Sequence, residues 1–323
     1  MKQYYLRHII MLCLTATVLT ACEYKALDEP YDGDFKRHLI IDFQWGAVDS
    51  IPGSMRVVFY PEEPAPYSSG YTFYDISNRR DTIEVPVSTY NISAWNNDIE
   101  HVIMEGYGRH TTTFATTGNY SPHGNTSIPK VMDSIYANTR ILDYPDYMVH
   151  ANEHDYRVNP NYDYQELVMK PDSMVVTMEV RIKKVKGLEH CQKVRAAVEN
   201  IPAKRYVGYP NRTEEPVVIM FDAQAQEKDS CITAKFWVFG IEPTEMAQLQ
   251  HRITVFFWIT GAQIFVTVDA TRSFRRYTID DKYVLIEPEE IDLDLSKYIK
   301  QDGAGMIVDA EDWEDAEVID ISL

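Results

Sequence analysis

The sequence predicts an all-β protein built from two β-sandwich domains. Three observations carry that prediction. Apolar and polar residues alternate with period two in one segment after another. Helical spacing is scarce, so no layer of helices is available to cover the sheets. The chain has 323 residues, about twice an ordinary domain.

Taken in order, residues 1–21 read as an export signal. Lys2, Arg7 and His8 form a positive start, and Ile9 to Leu19 is an apolar stretch too short to span roughly 30 Å of hydrocarbon as a helix. Leu19-Thr20-Ala21-Cys22 follows and resembles a bacterial lipobox, in which Cys22 is acylated and becomes the new N-terminus. Residues 22–36 then form a short polar tether containing Lys25, Asp28, Glu29, Asp32 and Asp34. The expected location is the outer membrane or cell surface, held by lipid, because no later segment offers 18 consecutive apolar residues.

The N-terminal sandwich is expected over 37–165. Leu39 to Phe43 and Met55 to Tyr60 are dense apolar runs that fit strands covered on both faces. Tyr90, Ile92 and Ala94 alternate with Asn91 and Ser93. Residues 111–163 are rich in Gly and Pro and read as loop, with the division between domains placed at 150–168. The C-terminal sandwich is expected over 166–323. Val176 to Ile182, Ile232 to Val238, Ile264 to Val268 and Ile319 to Leu323 alternate, and Val217 to Phe221 and Ile253 to Ile259 are dense. The one helical pattern, Leu188, Cys191, Val194, Val198 and Ile201, predicts a short helix ended by Pro202.

Charge removes whole classes of function. Lys and Arg number 31 against 49 Asp and Glu, a net charge of −18. Such a surface repels phosphate backbones, so nucleic acid is not an expected partner. Chemistry-bearing motifs are few. His150-Ala151-Asn152-Glu153-His154 matches H-x-x-E-H, which holds zinc only on a helix that brings both imidazoles to one face. Turn residues flank it on both sides, so a solvated interdomain loop is the expectation and no metal, cofactor or catalytic residue is predicted. After Cys13 leaves and Cys22 is acylated, Cys191 and Cys231 remain. Pairing and two free thiols both stay open, since the compartment is oxidising and buried thiols are ordinary.

Four Asp-Ser/Thr-aliphatic triplets, at Ser50, Thr82, Ser134 and Ser173, resemble the O-glycosylation sequon of exported Bacteroidales proteins. Longer stretches carry a broader likeness. Ser54 to Pro61 resembles the early strand of the fimbrillin-like lipoproteins of Bacteroidales. Val85-Pro86-Val87-Ser88-Thr89-Tyr90-Asn91, followed by Trp95-Asn96-Asn97-Asp98, is similar to their "LPxGTYdvlxyNnD" stretch, with Ser88 where the family has Gly. Val185 to Gly208 resembles the opening of their second domain, and Gly305 to Asp309 with Asp312-Trp313 resembles their C-terminus.

Within that group the chain looks closest to uncharacterised lipoproteins related to fimbrium anchoring subunits. The resemblance implies two transthyretin-like, Greek-key sandwiches, no enzyme activity, and assembly with fimbrillin-like subunits by strand donation. A final strand over Glu317 to Leu323 would then be either donated or paired within its own chain. An alternative is a surface glycan-binding lipoprotein, using Trp45, Trp95, Tyr67 or Tyr71 against sugar faces.

Overall fold

A computed structural model describes residues 36–46, 48–62, 70–120, 135–136, 139–209, 211–241, 249–259, 262–277, 281–288, 293–298 and 317–321. The first half contributes β1 (Lys36–Phe43), β2 (Ser54–Pro61), β3 (Thr72–Ser77), β4 (Arg80–Pro86), β5 (Thr89–Asn96), β6 (Val102–Glu105), β7 (Phe114–Thr117), β8 (Ile141–Asp143), β9 (Val149–Arg157), β10 (Tyr164–Met169) and β11 (Asp172–Ser173). The second half contributes β12 (Val176–Lys183), β13 (Val185–Lys186), β14 (Cys191–Tyr206), β15 (Thr213–Gln226), β16 (Cys231–Val238), β17 (Arg252–Ile259), β18 (Ala262–Asp269), β19 (Tyr283–Ile286), β20 (Leu293–Asp294) and β21 (Glu317–Ile321). Helix among the described residues is limited to single turns. None is long and apolar enough to cross a membrane.

Two sheets form the first sandwich. One has the order β10-β1-β4, and the other β11-β9-β5-β2-β3. Alternation along β1, β2 and β5 sends Leu39, Ile41, Val57, Phe59, Ile92 and Ala94 into the space between them, where all are fully buried. The five-stranded sheet has no wet face over its centre. Val58, Tyr60 and Trp95 point the other way, into a second core with Val102, Ala115, Val207 and Phe239. That double burial is why Met55 to Tyr60 is dense rather than alternating.

The large sheet runs β19-β12-β16-β15-β14-β17-β18-β21, with β7 added to β14 and β8 added to β15. It folds over itself, because β15 changes partners. Val194↔Ala223 and its neighbours pair β15 with β14, whereas Gln224↔Thr233 to Gln226↔Cys231 pair it with β16. One continuous strand thereby turns the corner between two layers. Inward-facing side chains of both layers meet in one core: Met178 and Val180 from β12, Phe236 from β16, Val255 and Phe257 from β17, and Val266 from β18.

Two expectations are corrected. The helix over Leu188 to Ile201 is absent. A single turn at Leu188–His190 leads straight into the sixteen-residue strand β14. Inside that strand Val194, Ala196 and Val198 keep period two and face the core. Pairing shifts between Cys191 and Lys193 and again between Glu199 and Ile201, where Asn200 takes φ 61°. Each irregularity inserts a residue and turns a spacing of two into three, which mimics a helical step. Pro202 lies opposite Pro216 within the strand instead of ending a helix.

Residues 111–163 are likewise not simply loop, because β7, β8 and β9 lie there. Their residues are more polar than core strands usually are, which hid them. Pairing also shows how the halves interleave. Strands β10 and β11 belong to the first sandwich, and the chain position 165/166 falls inside β10. Strands β6 to β8 precede them in sequence yet join the large sheet.

Candidate functional site

The outer edge of the large sheet is formed by β21. It lies parallel to β18 in the register Ala262↔Glu317 to Val266↔Ile321, while β17 flanks β18 antiparallel on its other side. A parallel neighbour cannot come from a tight hairpin and must arrive by a long connection. Eighteen residues of sequence separate Tyr298 from Glu317. Strand β18 itself is covered on both faces. Ile264 and Val266 enter the main core, and Phe265 packs with Ala197, Phe256 and Trp258 in another. Its backbone edge therefore sits between two packed layers, and β21 satisfies the edge's main-chain donors and acceptors.

The residues singled out by sequence fall in different places. Cys22, Tyr67 and Ser134 lie outside the described residues. Ser50 is exposed in the loop before β2, beside Ile51 at 54% exposure. Thr82 is exposed on β4, an edge strand. Ser173 is buried, and its hydroxyl donates to the Val175 carbonyl at 2.7 Å, which closes it to an enzyme acting on the folded chain. Trp95 is core at 1% exposure. Trp45 is partly covered and donates its indole N–H to the Asn78 carbonyl at 2.6 Å. Tyr71 stacks on Tyr107, with centroids 5.5 Å apart. These rings pack within the protein and do not assemble a shared sugar platform.

The H-x-x-E-H segment is strand β9, not a solvated loop. His150 is buried, and that burial, with the nearby cations Arg205 and Lys282, pushes its pKa down to about 3 against the pull of Asp172. The pairing of β9 with β5 shifts between Tyr90 and Ile92, and Asp155 takes φ 55°, so the strand is irregular just where His154 sits. His154 is exposed and meets His110 edge-to-face at 4.9 Å. Burial, and then His154, lower the His110 pKa to about 4. Among the described residues no three His, Cys, Asp or Glu side chains gather as a metal would require.

The two remaining cysteines are free thiols at the first residues of β14 and β16. Cys191 donates to the Lys193 carbonyl at 3.1 Å, and burial pushes its pKa up to about 11, which makes it a poor nucleophile.

Residues 21–222 match the family described as Domain of unknown function (DUF5119). A Bacteroides ovatus protein that carries the provisional name fimbrium anchoring subunit Fim4B is 23% identical over 233 residues. That match takes in 71% of this chain but only 64% of the relative's own length. Among solved structures, a Bacteroides ovatus protein provisionally described as an adhesin superposes with a TM-score of 0.63. It shares 20% identity, and the match covers 81% of this chain and 93% of the other. At that identity the likeness is one of fold.

Proposed function

The chain belongs to the DUF5119 family, and on that footing we propose that it is a fimbrillin-like structural protein of the cell surface that assembles with other fimbrial subunits. It is held at the outer membrane by acyl groups on Cys22 and performs no catalysis. The observation that carries this reading is the edge pairing of β21 with β18. Among the described residues this parallel, outermost strand is held by main-chain bonds to one neighbour only. It can therefore be replaced by a strand of equal pattern from another subunit without disturbing the layers beneath. The family match begins at residue 21, at the step where a lipobox would be cut, which supports the anchor. Because β6 to β8 join the large sheet, no single cut separates the sandwiches, and we put the last crossing from the first to the second at Met174-Val175, before β12.

Two experiments test the proposal. Cys22→Ala is expected to move a folded protein out of the membrane fraction, and unchanged retention would reject the lipid anchor. Deleting residues 317–323 is expected to leave a folded chain that captures a synthetic peptide of that sequence, or a fimbrial subunit from the same cell. A deleted chain that stays monomeric and binds neither would reject strand exchange at this edge.

A further inference from the structure

A cleft opens where β15 and β16 part. They pair only from Gln224↔Thr233 to Gln226↔Cys231, after which β16 continues along β12 and β15 turns to β14. The resulting wedge holds a cavity of about 790 Å³ between Asp222 and Gln224 on one side and Thr233 and Lys235 on the other. Tyr144 and Asp222 also line a second cavity of about 360 Å³, which includes Arg195 and His101. Trp237 and Asp146 join that one to a third of about 480 Å³, closed by the Asp49–Pro52 loop of the first sandwich. Through these shared residues the three adjoin as one groove, which runs from the wedge in the large sheet to the first sandwich. Each has the size of a small-molecule site, roughly 300–1,000 Å³.

We propose that this groove binds a neutral oligosaccharide. The ligand class follows from charge, aromatic rings and free polar groups together. The chain carries −18 overall; the first cavity is balanced, with Glu179, Asp222 and Asp229 set against Arg181, Lys183 and Lys235, while the other two add Asp49, Asp98, Glu100, Asp143 and Asp146 against Arg195. A polyanion finds no net attraction there. Several charges are already committed. Arg195 donates to Asp222 at 2.7 Å and also to the Tyr120 hydroxyl, and Asp146 accepts from the backbone of Glu100 and His101 at 2.8 and 2.7 Å.

Among the described residues, the groove's groups left without a hydrogen bond include the Gln224 and Gln226 amides, the Thr233 hydroxyl, the Lys235 ammonium, the Trp237 indole N–H, the Tyr144 hydroxyl and the carboxylates of Asp49, Glu100 and Asp229. They mix donors and acceptors at short spacing, as vicinal hydroxyls require. Aromatic side chains of Tyr120, Tyr144, Tyr147, Phe221 and Trp237 line the groove. Trp237 is half-buried against Tyr147, with centroids 5.7 Å apart at 52°, and Tyr144 stands 6.0 Å from Phe236. Flat rings with few aliphatic pockets beside them suit the C–H face of a pyranose better than the side chains of a peptide.

The test is calorimetric titration of the purified full-length chain with neutral gluco-, manno- and xylo-oligosaccharides, with oligogalacturonate as the acidic comparison. One neutral series is expected to bind and to quench tryptophan fluorescence. Trp237→Ala should weaken it at least roughly tenfold. Because Trp237 also packs against Tyr147, the exposed pair Gln224→Ala and Lys235→Ala provides a second probe, expected to weaken binding with unchanged thermal unfolding. Overturning results are silence across all neutral series, binding indifferent to both sets of variants, preference for the acidic series, or competition by an extended peptide that pairs with β16. None of these depends on β21, so this proposal and strand exchange fail separately.

Discussion

Glu199 of β14 is gripped at a single oxygen by Arg252 of β17, whose Nε and Nη2 lie 3.0 and 2.9 Å from Oε2. The carboxylate is buried, and its other oxygen has no partner among the described residues. The guanidinium is 44% exposed. A buried carboxylate with one cation is costly to leave alone.

Arg252→Ala is therefore expected to lower stability by about 2 kcal/mol, the scale of a charge-assisted bond lost from a buried group. Replacing both residues with leucine should recover part of that loss. Urea unfolding of the three chains checks it. An Arg252→Ala midpoint equal to that of the parent would show that the pair contributes nothing.

Acid should loosen the fold before the carboxylates titrate. The His150 pKa is depressed from about 6.5 to about 3, so the unfolded chain binds a proton that the folded chain refuses. Stability is full above the unfolded value and falls as pH drops through the window from about 6.5 to about 3. The loss is roughly 2 kcal/mol by pH 5. His110, depressed to about 4, acts in the same direction. His150→Gln should flatten the dependence of the urea midpoint between pH 7 and pH 5, and an unchanged slope would remove His150 as its source.

Gly208 is predicted to resist substitution. A Cβ there would lie 2.6 Å from His110 Cε1 and 2.7 Å from the His110 carbonyl oxygen. Rotating the imidazole relieves the first clash but not the second. Gly208→Ala should cost about 1–3 kcal/mol, the range for overpacking a tight site. A thermal midpoint within error of the parent would show that the turn moves freely.

Exposure separates the three sequon residues that lie among the described ones. If the triplets are glycosylated in the native cell, Ser50→Ala or Thr82→Ala should remove mass from the intact protein, and Ser173→Ala should not. A chain recovered at its bare polypeptide mass would end the idea.

Much of the fold was legible because burial on one face imposes a local rhythm. β5, β12, β16 and β18 appear in the sequence as period-two runs, and β2 and β17 as dense ones, each close to its observed limits. β14 was misread since its irregularities change that rhythm. β9 was missed since it buries polar residues such as His150, whose burial comes from pairing with strands β5 and β11 and not from a local apolar pattern.

By itself the sequence determined the all-β class, the likeness to a lipobox at Cys22 and the acidic charge. All but the net charge depend on residues a few positions apart, and the charge is a plain sum. Tertiary structure alone decided that Trp237 meets Tyr147, that β15 changes partners at Gln224, and that β21 closes the edge of β18. Those are pairings over long stretches of chain, settled by which layers can bury each other's surface, and no local pattern records them.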